Sequence, residues 1–148
     1  MDANTALRNM NRSLAMAITT VLDGRIDDHL AFVAPTLDLR PFGEVVVHAY
    51  RPVLAATCIV AGRTWPAPQP QPTTIPALQD LVGAMVAQVD DLLADLSDEA
   101  LAAPVLLRWG WHPSGLDAIN GCLAHGFVHV GVLRGISAMG GFPTRAEE

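Results

Sequence analysis

Apolar residues recur at intervals of three and four along residues 5–22, at Leu7, Met10, Leu14, Ile18 and Leu22. That spacing places them on one face of a helix. After Gly24, residues 25–33 add a further turn or two before Pro35. A second apolar stretch opens near Phe42 to Glu44 and runs to about Val60, where Gly62 can end it. Pro52 lies inside this stretch and has no N–H to offer the carbonyl of His48, so a kink or a break is expected one turn past His48. From about Ala77 to Leu96 a third stripe is carried by Leu78, Leu81, Val82, Met85, Val89, Leu92, Leu93 and Leu96. Asp80, Gln88, Asp91 and Asp95 lie mainly outside it. Ser114 and Asp117 have the spacing of a capping box for a last helix, which Gly140-Gly141 and Pro143 terminate.

Between the second and third helices, residues 62–76 hold Pro66, Pro68, Pro70, Pro72 and Pro76. In polyproline geometry such a segment spans about 45 Å. A helix of about 18 residues is only some 27 Å long. The connection can therefore return the chain along the whole bundle and leave helices two and three parallel. The predicted class is all-α: a four-helix bundle, up-down-down-up, with a long crossover between helices 2 and 3 and residues 1–148 as one domain. A weak echo pairs Asp27-Asp28-His29-Leu30-Ala31 with Asp98-Glu99-Ala100-Leu101-Ala102; each precedes a histidine-bearing helix.

Composition narrows the partners. The chain is 51% hydrophobic and 16% charged, with a net charge of −6. All nine basic residues are arginine and scattered, so no basic stripe meets a nucleic acid. No apolar run is read as reaching the roughly 20 residues of a membrane span, and the polar N-terminus lacks the regions of a signal peptide. The expectation is a cytoplasmic bacterial protein with neither nucleic acid nor membrane as partner. So apolar a chain leaves little polar cover for four helices, which predicts a homodimer. Cys58 and Cys122 do not make a disulfide framework.

Chemistry concentrates in His125-Gly126-Phe127-Val128-His129. Residues at i and i+4 share a helix face, so both imidazoles can converge on one metal ion. Two core histidines satisfied by the fold are the bland alternative. The zincin glutamate is absent, because Gly126 stands in its place. His48 can join the pair where helix two packs on the last helix. Cys122, one turn before His125, is a fourth ligand or a small core residue. Glu44, one turn before His48, is a hydrogen-bond acceptor for a ligand, a general base, or a complement to the helix dipole. Arg134 either grips an anionic substrate or offsets the dipole near the helix end. Trp109, Trp111 and Tyr50 wall a pocket or fill the end of the bundle, and His29 and His112 are expected at the surface. The glycines at 121, 126, 131 and 135 fit close helix approach, Gly126 also leaving room beside the histidines.

With His48 in mid-helix two, His125-x-x-x-His129-x-Gly131, Leu133-Arg134 and the terminator Gly140-Gly141, the chain resembles the DinB/YfiT-like superfamily of bacterial four-helix proteins over nearly its whole length. The resemblance implies a divalent metal, zinc or nickel, on His48, His125 and His129. It also implies chemistry of the family's thiol-dependent S-transferases and isomerases, which use low-molecular-weight thiols such as bacillithiol or mycothiol on a small electrophile. Where the family commonly has Arg-Gly-Gln after its last ligand, this chain has Val130-Gly131-Val132, so the usual polar neighbour of the ligands is lost. A non-catalytic metal- or ligand-binding bundle, stress-related, and a metal-assisted hydrolase are the alternatives.

Overall fold

The computed structural model describes residues 1–143. Four long helices, α1 (Ala3–Leu22), α2 (Phe42–Val60), α3 (Ile75–Asp95) and α5 (Gly115–Met139), form the bundle. A 3-10 turn at Asp27–Ala31 precedes α2, and the single-turn α4 (Asp98–Ala102) precedes α5. The two acidic pentapeptides that echo one another in sequence thus fold as short helical turns at matching points of the two halves.

Each boundary has a local cause. Asp2 accepts from the Thr5 amide at 2.8 Å, and Thr74 from Ala77 at 3.3 Å. Ser114 accepts from Asp117 at 3.1 Å, which is the forward bond of the predicted box. At the other ends Gly62 (φ +72°) and Gly141 (φ +67°) take the left-handed conformation that glycine adopts at least cost. The amides that follow turn back on the helices, Arg63 onto the Cys58 carbonyl at 2.8 Å and Phe142 onto Ser137 at 2.9 Å. α2 continues through Pro52 without a break.

Directions follow from the contacts. Asn4 at the start of α1 donates to the Leu93 and Leu96 carbonyls at the end of α3, at 2.9 and 2.6 Å, so those helices are antiparallel. Gly115 at the start of α5 lies against Val60 at the end of α2, so that pair is antiparallel too. Residues 63–74 carry the chain back, and α2 and α3 run parallel. The topology is up-down-down-up, as predicted.

The core draws on the predicted stripes, Leu7, Leu14 and Ile18 from α1 and Leu78, Val89 and Leu93 from α3, together with Val45 and Val46 from α2 and Leu123, Leu133 and Ile136 from α5. Leu81 and Leu92 are only half-buried. α2 and α5 share the most extensive contact between helices. Gly126 makes it possible, since a Cβ there would sit 2.7 Å from the Ala49 carbonyl oxygen and 2.6 Å from a Leu14 methyl. The open space expected beside this glycine is therefore filled. Gly131 has nothing within 4 Å of its missing Cβ, so close approach within the chain does not account for it.

Two expectations are corrected. α2 and α5, 19 and 25 residues long, are each long and apolar enough to cross a bilayer by length and composition alone. α2 owes its apolarity to the core: 67% of its most apolar window is buried in the bundle. His29 is half-buried, because its ring stacks on Phe142 with centroids 4.0 Å apart and its Nδ1 accepts from the Ile26 amide. His112 is exposed, as expected.

Candidate metal centre

α2 delivers His48 from its middle, and α5 delivers His125 and His129 one turn apart to the same level of the bundle. Their three ligand nitrogens lie within 4.8 Å of one another. The ring centroids are 4.4 to 4.9 Å apart, with the planes inclined edge to face. The Nε2 atoms of His125 and His129 are 3.0 Å apart. Two imidazole nitrogens this close either share one proton or turn their lone pairs toward a common cation.

Electrostatics keep the rings neutral. Burial, then Arg40, then the other two histidines push His48 down to about 4, and Asp38 opposes the shift. Burial followed by Arg40 lowers His125. Burial followed by His125 and Arg40 lowers His129. Neutral imidazole is the form that binds a metal, so this donor set could hold a divalent ion near pH 7.

Where both Nε2 lone pairs face a common cation, the proton of each helical histidine would sit on Nδ1. Both Nδ1 atoms are buried and find no protein partner among the described residues. A metal-bound imidazole ordinarily donates that proton to a carboxylate or carbonyl. The apolar run after His129 offers none, in keeping with the loss of the polar residue noted in the sequence. The rings are oriented here by packing.

One pair beside the centre escaped the sequence reading. Arg40 donates to Asp38 through Nε at 3.0 Å, Nη2 at 2.9 Å and its own amide at 2.9 Å. These bonds hold the Asp38 carboxyl at about 2. The pair sits in the short loop before α2, where a lone Asp-x-Arg has no periodicity to mark it; its fork-to-carboxylate pairing is the one available signal.

The remaining candidates divide. Cys122 is buried and stands outside the group of three histidines, and burial lifts its thiol to about 11. Glu44 and Arg134 are exposed on α2 and α5, also outside that group. Trp109 and Trp111 wall a cavity of about 380 Å³ that reaches His48, His125 and Cys122. Tyr50 does not; it is fully buried and its hydroxyl donates to Asn11 Oδ1. A second cavity of about 410 Å³, between α2, α3 and the proline-rich connection, contains no histidine.

No protein-family model matches the chain, and no curated protein matches it in sequence. Among solved structures it is similar to a mycothiol-dependent maleylpyruvate isomerase, with a TM-score of 0.70 and 15% identity over 90% of this chain and 61% of that one. A variant of that isomerase with one histidine changed to alanine superposes with a TM-score of 0.66, again at 15% identity. The chain thus spans about three-fifths of the length of these enzymes. At this identity the likeness establishes the fold alone, the helical bundle that this chain shares with those enzymes.

Proposed function

We propose that His48, His125 and His129 hold one divalent ion, zinc or nickel, and that the protein is a DinB-like transferase joining a low-molecular-weight thiol to a small electrophile. The observation that carries this reading is the convergence of three neutral imidazoles beside a cavity of about 380 Å³. An ion held by neutral ligands keeps its full charge and an open position, where it lowers the pKa of a thiol or a water. The protein's own groups supply the setting. The histidines fix the ion between α2 and α5, and the indoles exclude water from the side where the acceptor approaches. The sulfur bonds to the electrophilic carbon, the thiol proton passes to solvent, and the leaving group departs with its electron pair.

Neither protein cysteine is suited to be the nucleophile. Burial raises both thiols, Cys122 to about 11, so neither is ionised at neutral pH. Support for a thiol co-substrate comes from the structural neighbours, whose own activity is mycothiol-dependent. The composition-based dimer belongs to the same proposal. Between Asp117 and Arg134 α5 carries no Asp, Glu, Lys or Arg, and Ala124, Phe127, Val128 and Gly131 are exposed on it. A second copy is the partner this face fits, and sedimentation at micromolar concentration showing only a 15.7 kDa species removes the dimer.

The test combines metal analysis with turnover. Purified protein should hold about one equivalent of zinc or nickel, and should conjugate 1-chloro-2,4-dinitrobenzene to mycothiol or bacillithiol with release of chloride. Metal retained in full by any single His→Ala variant removes that histidine from the set. One equivalent of metal without conjugation of any bacterial thiol leaves a metal-binding bundle as the function.

A further inference from the structure

The wall of the cavity beside the histidines is made by a segment with no helix of its own. Residues 103–114 double back as a hairpin-like loop: Val105 donates to Pro113 at 2.9 Å and Leu107 to Trp111 at 3.0 Å, around Gly110 at φ +79°. Leu107 buries its side chain almost completely and anchors the loop. Trp109 and Trp111 nevertheless stay 51% and 40% exposed, and both line the cavity.

The indoles are seated from behind. Gly121 lies under Trp111, where a Cβ would come within 2.7 Å of Cη2. A glycine inside a helix costs about 1 kcal/mol relative to alanine, and here it leaves the space the indole occupies. Trp109 meets the ring of Trp65 edge to face at 5.7 Å, and Arg108 stacks its guanidinium over Trp65 at 4.5 Å. Trp65 belongs to the proline-rich connection, so two distant segments brace one wall.

Among the described residues, no Asp, Glu, Lys or Arg lines this cavity. Pro52 and Cys122 continue its apolar surface, and the two histidines are its polar edge. Arg40, beside the histidines, is engaged by Asp38 on three hydrogen bonds. A carboxylate entering here finds no unengaged protein cation among the lining residues. An apolar cavity of about 150 Å³ already accommodates benzene, so this one has room for a bicyclic group.

We propose that the Trp109–Trp111 cavity binds an uncharged aromatic group, and that this group is the body of the electrophilic acceptor. The acceptor role rests on the metal-centre reading above; binding itself does not.

N-phenyl-1-naphthylamine, an uncharged probe that fluoresces in apolar surroundings, tests the site on the purified protein. One equivalent should bind saturably. From protein stripped of metal with a chelator, 2-naphthamide should displace it at least tenfold more effectively than 2-naphthoate, which differs by its negative charge, and maleate should not displace it. Trp111→Ala, at a loop residue, should weaken probe binding about tenfold with the helical circular dichroism and metal content unchanged. Trp109→Ala should do the same. Equal or tighter binding of 2-naphthoate, several equivalents of probe, or full affinity in both tryptophan variants overturns the proposal. The naphthamide–naphthoate contrast uses the chain without substitution, so misfolded variants do not shield the idea. Probe binding in a protein that holds no metal before chelation would sink the metal-centre reading and leave the aromatic site standing.

Discussion

On the α1–α3 side of the bundle the polar side chains find partners, whereas on the α2–α5 side three imidazoles converge with two of their nitrogens unpaired. Asn4 occupies the terminal carbonyls of α3, Arg8 grips Asp90 with two bonds of 3.0 and 3.1 Å, and the buried Asn11 takes the Tyr50 hydroxyl. Across the molecule three imidazoles crowd together and two of their nitrogens are orphaned in the interior. Buried polar atoms are costly unless paired. The first set holds the bundle together; the second is where we propose that an ion binds, at the Nε2 atoms that face one another rather than at the unpaired Nδ1 atoms.

The largest effect expected is on the open side. His125→Ala should abolish metal binding in elemental analysis and remove whatever rise in melting temperature added zinc gives the unaltered protein, because two imidazoles are a poor remnant of three. The same change should leave the metal-free melting temperature nearly untouched. A large drop there would mean that the histidines are core structure, and the contrast between the sides would collapse.

Next comes the satisfied side. Tyr50→Phe strands the buried Asn11 oxygen, and should cost about 1–3 kcal/mol in urea unfolding while metal content stays whole. Loss of metal in this variant would show that the two sides are coupled.

Acid should separate them in the metal-free protein. His48 titrates at about 4 in the fold and near 6.5 when unfolded, so the unfolded chain takes up the proton first. Stability is fully present above about 6.5 and should fall as pH drops toward 4. His48→Gln should flatten that fall, and an unchanged pH profile of the melting temperature would count against the burial of a neutral ring. The smallest effect belongs to Arg8→Ala: the pair with Asp90 is partly exposed, so the urea unfolding midpoint should barely move.

The two sides were also unequally legible in the sequence. Long helices declare themselves through spacing, and Gly62, Ser114 and Gly141 mark their ends by conformational and hydrogen-bonding preferences that act locally. His48 and the His125–His129 pair were readable because i, i+4 geometry and bundle packing leave them few places to go. Asp38 and Arg40 were not, since a loop ion pair depends on where α5 comes to rest. The backing of Trp109 by Trp65, and of His29 by Phe142, joins residues 44 and 113 positions apart, respectively, and no local pattern encodes either. Gly126 was read as allowing close helix approach and as leaving room beside the histidines; only the first holds, because a neighbour, the Ala49 backbone, takes the place of the missing side chain.

That neighbour has a consequence for the metal site we propose. At the level of His125 the gap between α2 and α5 is held by backbone against backbone, Gly126 on the Ala49 carbonyl, with Leu14 wedged behind. Atoms packed this tightly do not yield by tenths of an ångström. Metal ions of equal charge differ by just such tenths in bond length, and by the angles their ligands must make. For the ion we propose on the three histidines, the distance between the two helices would act as a gauge, set at a residue that has no side chain with which to touch it.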